Sequence, residues 1–176
     1  LIHNALPELQ VSVVDLRCHF AGHTFEAPLI IAAMTGGVDR ANEINKDLAS
    51  VAEELGIGFA FGSQRPLLTQ GITDGYLVRD VAPNTFVFGN LGVGQARDAS
   101  LQSIEEMLKK SGCNALCIHL NPAMEVVQPE GDQDFRGGYA TIEKLVQNLS
   151  VPVVVKETGC GISRVVGKRL VDIGVE

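Results

Sequence analysis

The sequence predicts an α/β chain of parallel βα units, a TIM (β/α)8 barrel present as a partial barrel of about five units. Three observations predict it. From Leu29 onward, short apolar runs begin every 28 to 36 residues. Stretches of helical period separate most of them, which is the crossover that parallel strands require. Every run ends in glycine or polar residues, as barrel strands do where their loops build a site. A doubly wound sheet shares these features but would carry its glycine fingerprint after the first strand. Met34-Thr35-Gly36-Gly37 is no such fingerprint. The stretch from Gly161 to Lys168 is one residue too long for a phosphate loop, and Arg169 stands where Ser or Thr is needed.

Residues 1 to 27 are the least regular, with weak alternation over Val11 to Leu16 and a short strand pair expected around Ala21-Gly22. The first barrel strand is Leu29 to Met34. A helix over Glu43 to Leu55 should turn Ile44, Leu48, Val51, Ala52 and Leu55 inward and stop at Gly56. Ile57 to Gly62 is the second strand, and Leu67 to Ala82 is irregular with a short helix near Tyr76 to Asp80. Thr85 to Gly89 is the third strand. Ser100 caps a helix carrying Leu101, Ile104, Met107 and Leu108 inward, and Gly112 ends it. Ala115 to Leu120 is the fourth strand, closed by Pro122 and a loop. A helix over Ala140 to Leu149, a strand over Val151 to Val155 and a helix over Ser163 to Ile173 complete the rhythm.

A whole barrel takes ~250 residues, and this chain has 176. It begins with Leu and stops at Ile173-Gly-Val-Glu176, where another strand would start. It is therefore expected to be one domain, residues 1–176, cut at both ends. The net charge of −7 argues against a nucleic-acid surface. No run approaches the ~18 apolar residues of a membrane span. Cys18, Cys113, Cys117 and Cys160 form no C-x-x-C pair and are expected to be buried free thiols, which suits a reducing, cytoplasmic setting.

If the strand tips converge on one cavity, their side chains become candidates. His119 and Asn121 share a strand face with Cys117, opposite Leu116, Ile118 and Leu120. An ordinary strand end with polar turn residues would look the same. Asn90 shares a face with Phe86 and Phe88. Lys156 follows three valines, where its charge needs a partner or a task, unless it is a solvated strand end. Arg65 offers a fork suited to phosphate. Glu125 is a single carboxylate of the kind that holds Mg²⁺ together with substrate phosphates. A cationic, glycine-rich cavity suggests a phosphorylated ligand, and the residues alone do not name the reaction.

Ala33-Met-Thr-Gly-Gly37, Gly62-Ser-Gln-Arg65, Gly89-Asn-Leu-Gly92, His119-Leu-Asn121 with Glu125, Gln128-Pro-Glu-Gly131 and Val155-Lys-Glu157 occur in that order. The ordered set resembles the type 2, flavin-dependent isopentenyl-diphosphate isomerases. The resemblance implies an enzyme of isoprenoid biosynthesis, an FMN-containing barrel that interconverts isopentenyl and dimethylallyl diphosphate. It implies a need for Mg²⁺ and for flavin reduced by NADPH, and a homo-oligomer at full length. It further implies that Ala33, Met34, Thr35, Ser63, Asn90 and Lys156 contact the flavin. Ser63, Gln64, Arg65, His119 and Asn121 would hold the substrate, with His119 and Asn121 closest to catalysis, and Glu125 would bind Mg²⁺. The residue before Glu125 is typically a glutamine facing the reacting alkene. Here it is Met124, whose thioether donates no hydrogen bond. Another FMN barrel, such as a 2-hydroxy-acid oxidase, and a catalytically impaired homologue are the rival expectations.

Overall fold

The structure is a computed structural model that describes residues 3–37, 40–129 and 131–176. After a 3-10 turn at Val11–Val13, strands β1 (Cys18–Phe20) and β2 (His23–Phe25) form a hairpin closed by Ala21 and Gly22. Five parallel strands follow in chain order: β3 (Ile30–Ile31), β4 (Gly58–Ala60), β5 (Val87–Gly92), β6 (Ala115–Leu120) and β7 (Val153–Glu157). Sequential parallel order without reversal is the connectivity of a barrel wall, and a doubly wound sheet would reverse at a switch point. The Glu176 N–H donates to Val153 O at 3.1 Å, so the last residues run along the free edge of β7.

The helices are α1 (Ala41–Leu55), α2 (Arg65–Gln70), α3 (Val93–Asp98), α4 (Leu101–Ser111), α5 (Pro122–Val127), α6 (Gly138–Asn148) and α7 (Arg164–Asp172). Ser100 caps α4 by accepting from the Ser103 N–H, and Ser163 caps α7 from Val166 in the same way. Gly56 and Gly112 end α1 and α4 in the left-handed conformation, as their positions predict.

Three expectations need correction. Helix α1 buries Ala41, Asn45, Ala49 and Ala52, whereas Val51 and Leu55 are exposed. Its small residues let it lie close against β4, with Ile44 and Leu48 half-buried at the margin and Val51 and Leu55 turned outward. The segment from Tyr76 to Asp80 is a turn, and the short helices α2, α3 and α5 stand where loops were expected. Cys160 is exposed, while Cys117 is buried and Cys18 and Cys113 are partly buried.

Two apolar layers flank the sheet. Phe59, Phe61, Leu91, Leu116 and Ile118 face the helices and pack with Ile104, Leu108, Ile142, Leu145 and Leu170. On the other face Ala60, Phe86, Phe88, Ala115 and Cys117 meet Phe25 and Phe20 of the hairpin. Phe20, Phe25, Phe86 and Phe88 form a tight aromatic cluster, with the Phe86 and Phe88 centroids 4.9 Å apart. Since Phe86 precedes β5, the hairpin stoppers the N-terminal end of the inner face. The C-terminal end is left for chemistry.

Candidate functional site

Parallel register decides which tips meet. Asn90 pairs with Cys117 and Cys117 with Val154; one layer higher, Gly92 pairs with His119 and His119 with Lys156. Alternation puts Asn90, His119 and Lys156 on the inner face, Asn90 level with Cys117 and Val154, and His119 and Lys156 one layer above them.

His119 is buried, and its Nδ1 lies 3.1 Å from Asn90 Oδ1. With Oδ1 as acceptor, Nδ1 carries the proton and Nε2 is free to accept. Burial holds the imidazole below its ordinary titration range, and the Lys156 charge lowers it further against the opposing pull of Glu125. His119 is therefore a neutral, oriented ring at pH 7. Cys117 beneath it is no nucleophile, because burial pushes its thiol up to about 11 despite the nearby Lys156. Lys156 makes no ion pair among the described residues.

The tips of β3 and β4 are held by buried polar groups. Asn45 of α1 donates from Nδ2 to Gly75 O at 2.6 Å and to Thr35 O at 3.2 Å. The Gly62 N–H donates to Thr35 O at 2.8 Å, and a methyl at Gly62 would overlap that carbonyl. Tyr76, fully buried, donates its hydroxyl to Ser63 O at 2.6 Å. Desolvation pushes its phenol up to about 12, so it remains a donor. Ala33 packs partly against the inner apolar layer, Thr35 and Ser63 are half-buried, and Met34 is exposed.

Gln64 departs from expectation. Its side chain is fully buried, donating to Ser111 Oγ at 2.9 Å and accepting from the Asn90 N–H at 3.0 Å. It braces α4 against β5 and does not reach the ligand space. The chain turns into α2 immediately after it.

Glu125 lies in the first turn of α5. Its Oε1 accepts from Asn121 Nδ2 at 2.9 Å and its Oε2 from the Asp132 N–H at 2.8 Å. Each oxygen keeps a further lone pair. No group of three or more metal-ligating side chains occurs among the described residues. A cation at Glu125 would have to draw its remaining ligands from a substrate and from water, as Mg²⁺ ordinarily does. Met124 is half exposed beside it.

A cavity of about 710 Å³ opens next to this carboxylate, lined by Arg65, Asn121, Glu125, Arg97, Asp132 and Tyr139 among others. Arg65, Asn121 and Glu125 thus share one space, while Asn90, His119 and Lys156 belong to the adjoining inner wall. The five-stranded wall is open at its side, so that second region is a concave surface. Sequence reasoning missed Asn45, Tyr76, Arg97 and Asp132. Only Asn45, an amide on the apolar side of a helix, left a readable signal.

Structural comparison defines the fold class. The chain superposes on a mandelate oxidase bearing an FMN monooxide adduct, with a TM-score of 0.63 at 15% identity over 94% of this chain and 50% of the oxidase. It superposes equally on a Pediococcus acidilactici protein solved as a lactate oxidase, at TM-score 0.63 and 16% identity over 95% and 51% of the two chains. The fold is that of the parallel α/β barrels. No family model matches the chain. Isopentenyl-diphosphate delta-isomerases do match: that of Halobacterium salinarum is 43% identical over 100% of this chain and 50% of its own length. Those of Pyrococcus horikoshii and Xanthobacter autotrophicus are 40% and 44% identical, each over 99% of this chain and 50% and 52% of theirs. The chain belongs to the isopentenyl-diphosphate delta-isomerase family and spans about half the length of the curated relatives it matches. No described helix is long and apolar enough to cross a membrane.

Proposed function

We propose that the protein isomerises isopentenyl diphosphate to dimethylallyl diphosphate, using FMN in its reduced form, NADPH as reductant and Mg²⁺. The observation that carries this reading is the pairing of two neighbouring regions. One is an inner wall with an uncompensated Lys156 beside a neutral His119, and the other is a cavity holding Arg65 and Glu125. Sequence identity of 40–44% to named isomerases supports it. Likeness to the oxidases at 15–16% carries the fold alone.

The donor set fits both groups. Lys156, above apolar Val154 and Cys117, is a cation suited to an anionic ring. Ala33, Met34, Thr35, Ser63 and Asn90 line the tips around it. Bound there, reduced FMN would supply an acid/base group beside an alkene that no side chain is acidic enough to protonate. The chain's own residues do the rest. Arg65 and Ser63 would take the diphosphate, and Asn121 orients Glu125, whose carboxylate would hold Mg²⁺, a cation that would neutralise diphosphate charge. His119, kept neutral, donates or accepts without adding charge to a wall that Lys156 already makes positive. Catalysis then rests on placing a desolvated alkene and neutralising its tail.

Full-length protein incubated with FMN, NADPH, Mg²⁺ and isopentenyl diphosphate should yield dimethylallyl diphosphate. A yellow protein that yields none under those conditions would overturn the reading.

A further inference from the structure

Arg97 belongs to none of the motifs that carried the resemblance, yet the loop after α5 hangs on it. Its Nη1 donates to Asp134 O at 2.7 Å and to Arg136 O at 3.3 Å. Its Nη2 stands 3.8 Å from Asp132 Oδ2, and its Nε donates to Asp98 Oδ1 at 2.9 Å. From Asp132 the connection continues, because the Asp132 N–H donates to Glu125 Oε2. Asp134 Oδ1 and Oδ2 fold back onto Arg136, and the Asp134 N–H donates to Asp132 Oδ1, so the loop is a single hydrogen-bonded turn.

Two glycines let this assembly close. A Cβ at Gly94 would overlap the Asp132 carboxylate, and one at Gly131 would overlap the Glu125 carbonyl. Helix α3 therefore lies tight against the Asp132 side chain, and the 131–136 turn lies tight against the backbone of α5 at Glu125. Arg97 is the side chain that ties α3 to that turn.

We propose that Arg97 is a positioning residue for the divalent cation: by clamping residues 132–136 against α3, it holds the Asp132 N–H where it fixes the Glu125 carboxylate. This rests on the reading of Glu125 as the metal carboxylate. An arginine is needed because a planar fork reaches two carbonyls and two carboxylates at once, which a lysine ammonium cannot. With both Asn121 and Asp132 donating, Glu125 presents one set of lone pairs to the cavity without a search among rotamers. Losing the Asp132 arm leaves the carboxylate free to swing about its Asn121 bond, at an entropic cost to metal binding.

The test uses full-length, FMN-loaded protein and variants Arg97→Met, Arg97→Lys and Glu125→Gln. Mn²⁺ affinity is read by electron paramagnetic resonance with inorganic pyrophosphate present, alongside flavin stoichiometry and the metal dependence of turnover. Arg97→Met should weaken Mn²⁺ about tenfold, leave flavin stoichiometry unchanged and recover turnover at high Mg²⁺. Arg97→Lys, the milder change, should fall between it and the parent. Unchanged Mn²⁺ affinity in both Arg97 variants, with weakened affinity in Glu125→Gln, would overturn the role of Arg97 while leaving the metal carboxylate standing. Unchanged affinity in Glu125→Gln would overturn both.

Discussion

Asn90 Oδ1 sits 3.1 Å from His119 Nδ1, joining the tips of two adjacent parallel strands through their side chains. The ring is oriented by that contact, and burial together with Lys156 keeps it neutral.

Replacing Lys156 with methionine should move the His119 titration upward, toward but not to 6.5, because burial remains the larger cause. Nitrogen NMR of the imidazole reads this directly, and an unmoved titration would show that the two groups do not interact. The sign for stability follows. His119 binds its proton less readily folded than unfolded, so its contribution is complete above the ordinary histidine value of 6.5 and is lost as pH falls below it.

Glu157 behaves as a bound anion. Its Oε2 accepts from the N–H groups of Gly159, Cys160 and Gly161, and those backbone bonds hold its carboxyl down to about 2. The folded value is depressed, so this loop should keep its order above the ordinary glutamate range and lose it as pH falls toward 2. Glu157→Gln should speed amide exchange at residues 159–161 at neutral pH while α4 is unaffected.

Gly62→Ala should destabilise the protein by about 1–3 kcal/mol, since the added methyl meets the Thr35 carbonyl and backbone cannot yield as a side chain tip does. Thermal melts of full-length protein would show it. Flavin occupancy should drop with it if the proposed contact of residues 33–35 with the ring holds. A neutral melt would mean that the two tips stand farther apart.

Met124→Gln adds a donor at a half-exposed position next to Glu125. Stability should change by less than about 0.5 kcal/mol. If residue 124 faces the reacting alkene, turnover should rise by about tenfold, the worth of one net hydrogen bond. Unchanged turnover would place the side chain away from that end.

The legible parts of the fold were those with a local cause. Strand β6 was readable because a short apolar run, Ala115 to Ile118, leads to polar His119 and Asn121 and then a proline, and α4 because Ser100 and Gly112 bracket an apolar stripe. Helices α2, α3 and α5 have six residues each, too short to show a period, and only their tertiary neighbours make them helical. The inward face of α1 was misjudged because alanine and asparagine carry the contact, whereas pattern reading favours valine and leucine. The site divided in the same way. Polar residues at strand tips were visible as candidates, but the Asn90–His119 contact depends on inter-strand register, which no single segment encodes. Gln64 was legible only as a polar residue at a strand tip, and the buried bonds of its side chain to Ser111 and Asn90 were not.

The aromatic hairpin stopper has a consequence for traffic. With Phe20 and Phe25 seated on Phe86 and Phe88, the N-terminal end of the inner face built by these strands is plugged. A ligand bound at the strand tips has no exit through that floor, and any path to it runs over the C-terminal rim or the open side of the wall.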